Sequence, residues 1–540
     1  MPADKTKSLD YKSLSSVKNG GANSRDQSGL KSQKKSKKSE SFVKGLTNPF
    51  RKIQKQEIPS EPMFEENAAR AEIFVSESKI EKEKKETLTY AEEQKQKKEE
   101  KRSIRDFKLL SGDEWLTRNG HTLTYIGLYL FSILVLFRPY EIIPSLSFLS
   151  ATAFYFAAAT LLIYIPTQLS TEGTLTVFST EVKAILVLTF LALVTMPVSK
   201  DVGMAWETFN DPFIKVVLMF IVMVNVLRTR RRLMGLVWLS LAIGIYLSYT
   251  AWDMYLRGEL NAEGYRVTVE IGGMFGNPND MALHLVIMTP IALCLGIAAK
   301  NNLMRLVYFV MTILFIAGNF VTYSRGGFLG LIASAGVLAW KIGRKSRLNV
   351  ALASIFSGAI VLLLAPGNYG LRLLSIFIPG LDPVGSSDQR RELLERSIIV
   401  SLRNPWGIGI GNFPIVGIRN LQSHNAFTQV SSELGCLGLA AYLIFMISPF
   451  RKLGAIERTL FKKGESGWFY YLAIGLQASI VGYMVSSFFN SVAYNWFVYY
   501  LIAYAVAFRR IYSLEKGIEE VQAESIKEKV SRLKNVWQNG

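Results

Sequence analysis

The reading of this chain turns on Ser387–Leu443, SDQRRELLERSIIVSLRNPWGIGIGNFPIVGIRNLQSHNAFTQVSSELGCLGLAAYL. It is a charged and glycine-rich excursion set between two long apolar runs. It offers a basic helix start, a turn with three alternating glycines, and a lone His beside Asn at the mouth of an apolar helix. Apolar runs of this kind recur through the chain. From Leu123 onward they are about 17–22 residues long, the length a helix needs to cross about 30 Å of hydrocarbon.

Twelve spans are expected, at 122–137, 145–165, 182–198, 213–227, 233–252, 281–299, 304–321, 327–342, 348–365, 426–449, 468–488 and 492–508. With the N-terminal tail placed in the cytoplasm and the spans alternated, the basic clusters sort to one side. They are Arg228–Arg232, Lys300–Arg305, Lys341–Arg347, Arg451–Lys463 and Arg509-Arg510. The other side receives Arg138–Pro144, Ser199–Asp211, Trp252–Asp280, the Tyr323–Gly326 turn and Ala365–Asn425. The expected fold class is therefore an all-α polytopic membrane protein of about 12 transmembrane helices. A large extracytoplasmic loop containing short helices occupies 366–425, and both termini are cytoplasmic.

Ahead of the spans, residues 1–118 are polar and lysine-rich, with runs such as KSQKKSKKSE. Such a segment cannot bury enough apolar area to fold alone, although Glu77–Asp106 carries Glu and Lys at the four-residue spacing that supports a helix. The domain plan is then a basic tail at 1–118, a transmembrane domain at 119–510 and a cytoplasmic tail at 511–540. The opening MPADKTKSLD lacks an apolar core, so the first span is expected to direct insertion. A net charge of +19 would suit nucleic acid, but its concentration in the tail and short loops is the pattern of cytoplasmic segments; the tail reads as solvated and disordered, with contact to anionic headgroups as the alternative. The two cysteines, Cys294 and Cys436, lie in apolar runs and make no disulfide framework.

Four constellations could carry chemistry. In Thr322-Tyr-Ser-Arg-Gly-Gly-Phe-Leu-Gly330, an Arg stands where two apolar helices meet. Helix-start N–H groups beside a guanidinium make a phosphate or pyrophosphate site; snorkelling of Arg325 to headgroups is the competing reading. In Ser387–Arg396, Ser387 or Asp388 can cap a short helix carrying Arg390 and Arg391. Apolar residues at 393, 394, 398, 399 and 402 would form its membrane-facing stripe, and an interfacial helix meeting lipid phosphates remains open. Gly407-Ile-Gly-Ile-Gly411 lacks a strand–helix context for nucleotide binding and reads as a tight loop laid back over the site. Finally, of the three histidines only His424 stands at an extracytoplasmic helix start. A neutral imidazole there can position a hydroxyl or take its proton, and an ordinary capping role is the alternative. No histidine cluster suggests a metal, and no P-loop an ATP-driven motor.

Taken together, the SRGG turn, Arg390-x3-Leu394, the Pro405/Gly407/Gly409/Gly411/Phe413 loop and His424-x10-Gly435 resemble the O-antigen ligase/polymerase superfamily. Arg138-Pro-Tyr-Glu…Pro144 and Arg266…Gly276-Asn-Pro-Asn279…Ala282 are similar to it as well. The resemblance covers roughly 120–510 and leaves the tail outside. It implies a GT-C-like, metal-independent, inverting glycosyltransferase without cofactor, taking a glycan from undecaprenyl pyrophosphate at the outer side of the inner membrane. The implied acceptor is the lipid A core in a ligase, another lipid-linked repeat in a polymerase, or a protein hydroxyl. Arg325 and Arg390 would hold the pyrophosphate and His424 would act on the acceptor hydroxyl. Arg266, Asn279, Lys215, Asn425, Arg391 and Glu433 are further substrate-binding candidates, each with a structural alternative. Glu433 is expected two turns into a span, where it would need a partner such as an arginine. Leu394 stands where relatives carry a large aromatic nearby, which leaves the acceptor open.

A flippase or transporter would call for broken helices at mid-membrane and pseudo-symmetric halves, and no internal repeat is evident. A non-catalytic scaffold would use the tail but leave Arg325, Arg390 and His424 without a role.

Overall fold

The structure, a computed structural model, describes residues 115–262, 264–269, 271, 274–345, 347–348 and 386–538. Among them every regular element is helical; the lone β-bridge joins Ala262 to Arg266. The main helices are α1 (Trp115–Ser132), α2 (Thr152–Glu172), α3 (Thr180–Thr195), α4 (Ile214–Val226), α5 (Arg230–Leu256), α6 (Pro278–Ala298), α7 (Asn302–Val321) and α8 (Arg325–Ile342). They are followed by α9 (Ser386–Arg403), α10 (Ala426–Glu433), α11 (Gly435–Lys462), α12 (Trp468–Ser487) and α13 (Trp496–Gln538).

Among the described residues nine helices are long and apolar enough to cross a membrane, and each coincides with an expected span. The expected spans at 327–342 and 492–508 correspond to α8 and the first part of α13, which are not among those nine. α13 continues unbroken past residue 508. The span expected at 348–365 lies, past its first residue, outside the described residues, as do the 77–106 helix and residues 366–385 of the loop.

Two boundaries differ from expectation for identifiable reasons. The second span begins at Thr152 rather than 145, because Pro144 opens a separate 3-10 turn over Pro144–Leu149. The tenth is not one helix: α10 stops at Glu433, and α11 starts at Gly435, whose φ is +73°. A Cβ on Gly435 would lie 2.3 Å from the Pro405 carbonyl oxygen, so the apolar periodicity runs on while the backbone breaks.

α12 packs between α6 and α8. The approach is close because a Cβ on Gly330 of α8 would meet the Gly482 carbonyl of α12 at 2.9 Å; small residues let membrane helices touch along their backbones.

The basic clusters gather at one end of the bundle around three buried carboxylates. Glu172 pairs with Arg228 at 3.0 Å and Arg510 at 2.5 Å. Glu181 pairs with Lys452 at 3.0 Å and Arg509 at 2.9 Å, and Glu457 pairs with Lys341 at 2.9 Å and Arg344 at 2.6 Å. Thus four of the five clusters that the charge pattern puts on one side meet through shared partners. A carboxylate taken out of water persists only when its charge is met in this way.

Candidate functional site

The opposite end of α8 carries Arg325, about 25 Å from Lys341 at 1.5 Å per helical residue. Ser324 caps this helix, its Oγ accepting from Gly327 N at 3.2 Å. The guanidinium of Arg325 begins the first turn and is buried. Gly326 and Gly327 sit close against Phe489 and against Ala282 with Asn319, where a Cβ would come within 3.1 Å of its neighbours. Their place in the sequence is thereby explained by packing as well as by helix initiation.

α9 supplies the second arginine. It is 18 residues long, longer than the short helix expected, and its apolar stripe is divided. Leu393 and Val400 are buried with Ile408 and Phe413 in a small cluster of their own, whereas Ile398, Ile399 and Leu402 are exposed. The five positions do not make one membrane-facing stripe, because the loop after α9 folds back and covers half of it.

That loop is held by its glycines. Gly407, Gly409 and Gly411 all have positive φ. Gly409 N donates to the Glu433 carbonyl at 3.0 Å, Lys200 N donates to the Ile408 carbonyl at 3.1 Å, and Asp201 N donates to Asn412 Oδ1 at 2.6 Å. The turn therefore ties the end of α10 to the start of the 201–213 segment. Its glycines line neither of the two cavities described below.

His424 comes next, also in the left-handed region with φ +51°. Asn425 then caps α10, its Oδ1 accepting from Phe427 N at 2.9 Å and Thr428 N at 3.0 Å. Ser423 Oγ donates to the Asn425 carbonyl at 2.9 Å. These bonds fix the backbone on each side of His424 and leave its ring free of capping duty. The other two histidines pack inside the bundle, His121 3.2 Å from Thr171 Oγ1 and His284 3.0 Å from the Ser240 carbonyl.

Two cavities meet here. One, of about 750 Å3, is polar, with Arg266, Asn277, Asn279, Gln389, Arg390 and His424 in its wall. The other, of about 230 Å3, is lined by Arg325, Arg390, Arg391, Ser423, His424 and Asn425 together with the apolar Leu329, Leu394, Phe488 and Phe489. Arg325, Arg390 and His424 therefore share one cavity, and Arg390 and His424 belong to both. Burial, and then the Arg390 guanidinium, hold the His424 imidazole well below its ordinary range, at about 4, so at neutral pH it is uncharged and its lone pair can receive a proton.

Arg266 is buried in the wall of the polar cavity; its Nε donates to the Thr322 carbonyl at 2.9 Å and its Nη2 to Asn279 Oδ1 at 2.8 Å. Arg391 is largely exposed and pairs with Glu395 at 3.1 Å. Lys215 lines neither cavity and pairs with Asp211 at 3.0 Å.

Glu433 also lines neither cavity. It is fully buried at the end of α10 and accepts from Phe413 N at 3.3 Å. The arginine expected as its partner is replaced by backbone N–H groups of the loop. Burial raises its carboxyl to about 7, against the lowering effect of those N–H groups and Tyr494.

Residues that the sequence reading left out are Ser324, Asn277, Gln389, Leu329, Phe488 and Phe489. Ser324 and Asn277 carried a signal, since each precedes a helix as an N-cap. Phe488 and Phe489 close an apolar run like any interfacial aromatic pair, and Gln389 is an ordinary polar residue of a helix start; nothing local marks them.

Residues 309–443 match a family model described as O-Antigen ligase. None of the curated proteins compared matches the chain. The matched segment is about a quarter of the chain; it holds Arg325, Arg390 and His424, and leaves Arg266, Asn279 and Lys215 outside. Residues 309–443 are thus similar to the O-antigen ligase family, within a chain that carries, among its described residues, nine helices long and apolar enough to cross a membrane.

Proposed function

We propose that this protein is an O-antigen ligase that moves a glycan from undecaprenyl pyrophosphate to a hydroxyl of the lipid A core. One observation carries the reading: Arg325, Arg390 and His424 share a cavity with the apolar side chains Leu329, Leu394, Phe488 and Phe489. A lipid pyrophosphate needs both kinds of lining, apolar for the first isoprene units and cationic for the phosphates. The adjoining polar cavity, with four carboxamides in its wall, suits the hydroxyl-rich glycan.

In this mechanism Arg325 and Arg390 hold the pyrophosphate, and His424 orients the acceptor hydroxyl. The hydroxyl oxygen attacks the anomeric carbon from the face opposite the pyrophosphate, with inversion. Its proton passes to the imidazole as the C–O bond to the phosphate breaks, and the electron pair leaves on the pyrophosphate. Two guanidiniums meet the charge that grows there, the task a divalent cation could otherwise perform. Pairing of Arg390 with the donor also offsets the charge that depresses His424, so donor binding raises the basicity of the imidazole when it is needed. Arg391 and Asn425, in the lining of the same cavity, are candidates for contacts to the phosphates and the acceptor.

The basic, ion-paired end of the bundle lies at the far end of α8 from Arg325. By the positive-inside rule that end is cytoplasmic, with both termini, and the site faces outward from the inner membrane. The tail at 1–118 remains a proposed cytoplasmic extension.

The test is complementation of a deletion strain, read on a glycan gel, with wild type, Arg325→Ala, Arg390→Ala and His424→Ala at matched membrane levels. Loss of long-chain glycan with accumulation of full-length lipid-linked chains is the result a ligase gives. Accumulation of single repeats would make the protein a polymerase, and wild-type behaviour of all three variants would remove the proposed site.

A further inference from the structure

Asn279 ties the two cavities together. Its Oδ1 accepts from Arg266 Nη2 at 2.8 Å and from Ser324 Oγ at 2.9 Å. A carbonyl oxygen has two lone pairs, and both are used here. The same Ser324 Oγ accepts from Gly327 N at 3.2 Å, the bond that starts α8, and Arg325 is the next residue. Arg266 reaches the same turn from the other side, its Nε donating to the Thr322 carbonyl at 2.9 Å. Between these anchors Tyr323 holds φ +50°, a conformation a tyrosine keeps only when its surroundings impose it.

Arg266 and Asn279 stand in the wall of the polar cavity, and Arg325 in that of the apolar one. A bonded path Arg266–Asn279–Ser324 therefore crosses from one to the other and ends at the helix start that carries Arg325. We propose that Arg266 and Ser324 are positioning residues, which act through Asn279 to aim Arg325 at the pyrophosphate. The inference rests on the reading of Arg325 as a pyrophosphate ligand. It gives Ser324 a role beyond capping and gives Arg266 a task other than touching substrate.

The experiment measures binding of undecaprenyl pyrophosphate to the full-length protein in detergent, with undecaprenyl monophosphate as the comparison and an unfolding midpoint recorded for every variant. Arg325→Ala should weaken diphosphate binding by about tenfold or more, since a guanidinium on a phosphate is a charge-assisted contact. Ser324→Ala should weaken it by about three- to tenfold, the size of one lost hydrogen bond. Ser324→Thr keeps the hydroxyl, and with it the bond and the cap, and should stay within about twofold of wild type. Arg266→Lys, which cannot bridge Thr322 and Asn279 together, should weaken binding like Ser324→Ala and serves where that variant does not fold.

Each outcome decides. If wild type does not favour the diphosphate, or Arg325→Ala binds it unchanged, the donor reading fails and this inference falls with it. If Arg325→Ala loses affinity while Ser324→Ala and Arg266→Lys do not, the positioning role alone is overturned. It is equally overturned if Ser324→Thr binds as poorly as Ser324→Ala, because the hydroxyl would then be irrelevant.

Discussion

Arg390 and His424 are the two side chains common to the polar and the apolar cavity, and the guanidinium of one depresses the basicity of the other. The charge proposed to bind the leaving group and the base proposed to serve the acceptor are thus electrostatically coupled before any substrate arrives.

The first prediction concerns that coupling. His424 titrates at about 4 in the folded protein, below the ordinary value of about 6.5. The uncharged imidazole is the competent form, so kcat/KM for wild type should hold down through pH 6 and fall only on approach to about 4. Arg390→Gln removes the neighbouring charge, one of the two depressing causes, and should move the acid limb upward. A pH–rate profile of both proteins checks this, and coincident acid limbs would refute it.

Replacing His424 with Ala should reduce transfer by about 10²–10⁴-fold, the usual contribution of a positioned general base. Binding of the lipid diphosphate should change far less, because the arginines remain. Comparing turnover with equilibrium binding on the same preparation separates the two; a parallel loss of both would make His424 a binding group.

Gly435→Ala should destabilise the protein while leaving its chemistry unassigned to that residue. A non-glycine at φ +73° costs about 1–2 kcal/mol, and the added Cβ would stand 2.3 Å from the Pro405 oxygen. A lowered thermal midpoint in detergent is expected, and an unchanged one would mean that the break between α10 and α11 relaxes freely.

Glu433 gives a prediction with a definite sign. Its carboxyl titrates at about 7 when folded and at an ordinary, lower value when unfolded. Between those values the folded state holds the extra proton, so stability falls as pH rises towards 7 and loses nothing further above it. Glu433→Gln keeps an acceptor for Phe413 N and removes the titration. The midpoint difference between variant and wild type should therefore grow in favour of the variant from pH 5 to pH 8.

Glu457→Gln should lower stability by about 3–5 kcal/mol, the cost of leaving buried charges without their partner. Lys341 and Arg344 both lose their carboxylate in this variant. Chemical unfolding of the purified protein measures the change, and a change below 1 kcal/mol would show that water reaches that end of the bundle.

Much of the membrane fold was legible because each crossing must be apolar over its whole length, a signal read without knowing any contact. The break at Leu434 was hidden for the same reason: α10 and α11 are both apolar, and only the backbone of Gly435 separates them. Arg325 stood out because charge at the edge of a span needs a reason, and Arg390 and His424 because they stand in a polar excursion between two apolar runs. Phe488 and Phe489 did not, because their role depends on α12 lying against α8, a packing relation with no local signature. The same holds for Gln389 and Asn277, which line one cavity from more than a hundred residues apart. Lys215 illustrates the converse, a charge at the edge of a span that Asp211 one turn earlier accounts for.

The shared carboxylates also set an order of assembly. Glu181 belongs to the third helix, yet both its cations, Lys452 and Arg509, are supplied by the last third of the chain. While the ribosome is still working through the middle of the message, this acid must stay hydrated or take up a proton. The final helix, delivering Arg509 to Glu181 and Arg510 to Glu172, is thus a clasp that closes last. A nascent chain ending before residue 509 should be recognised as unfinished and degraded, which a pulse-chase of that truncation would register as a shortened half-life.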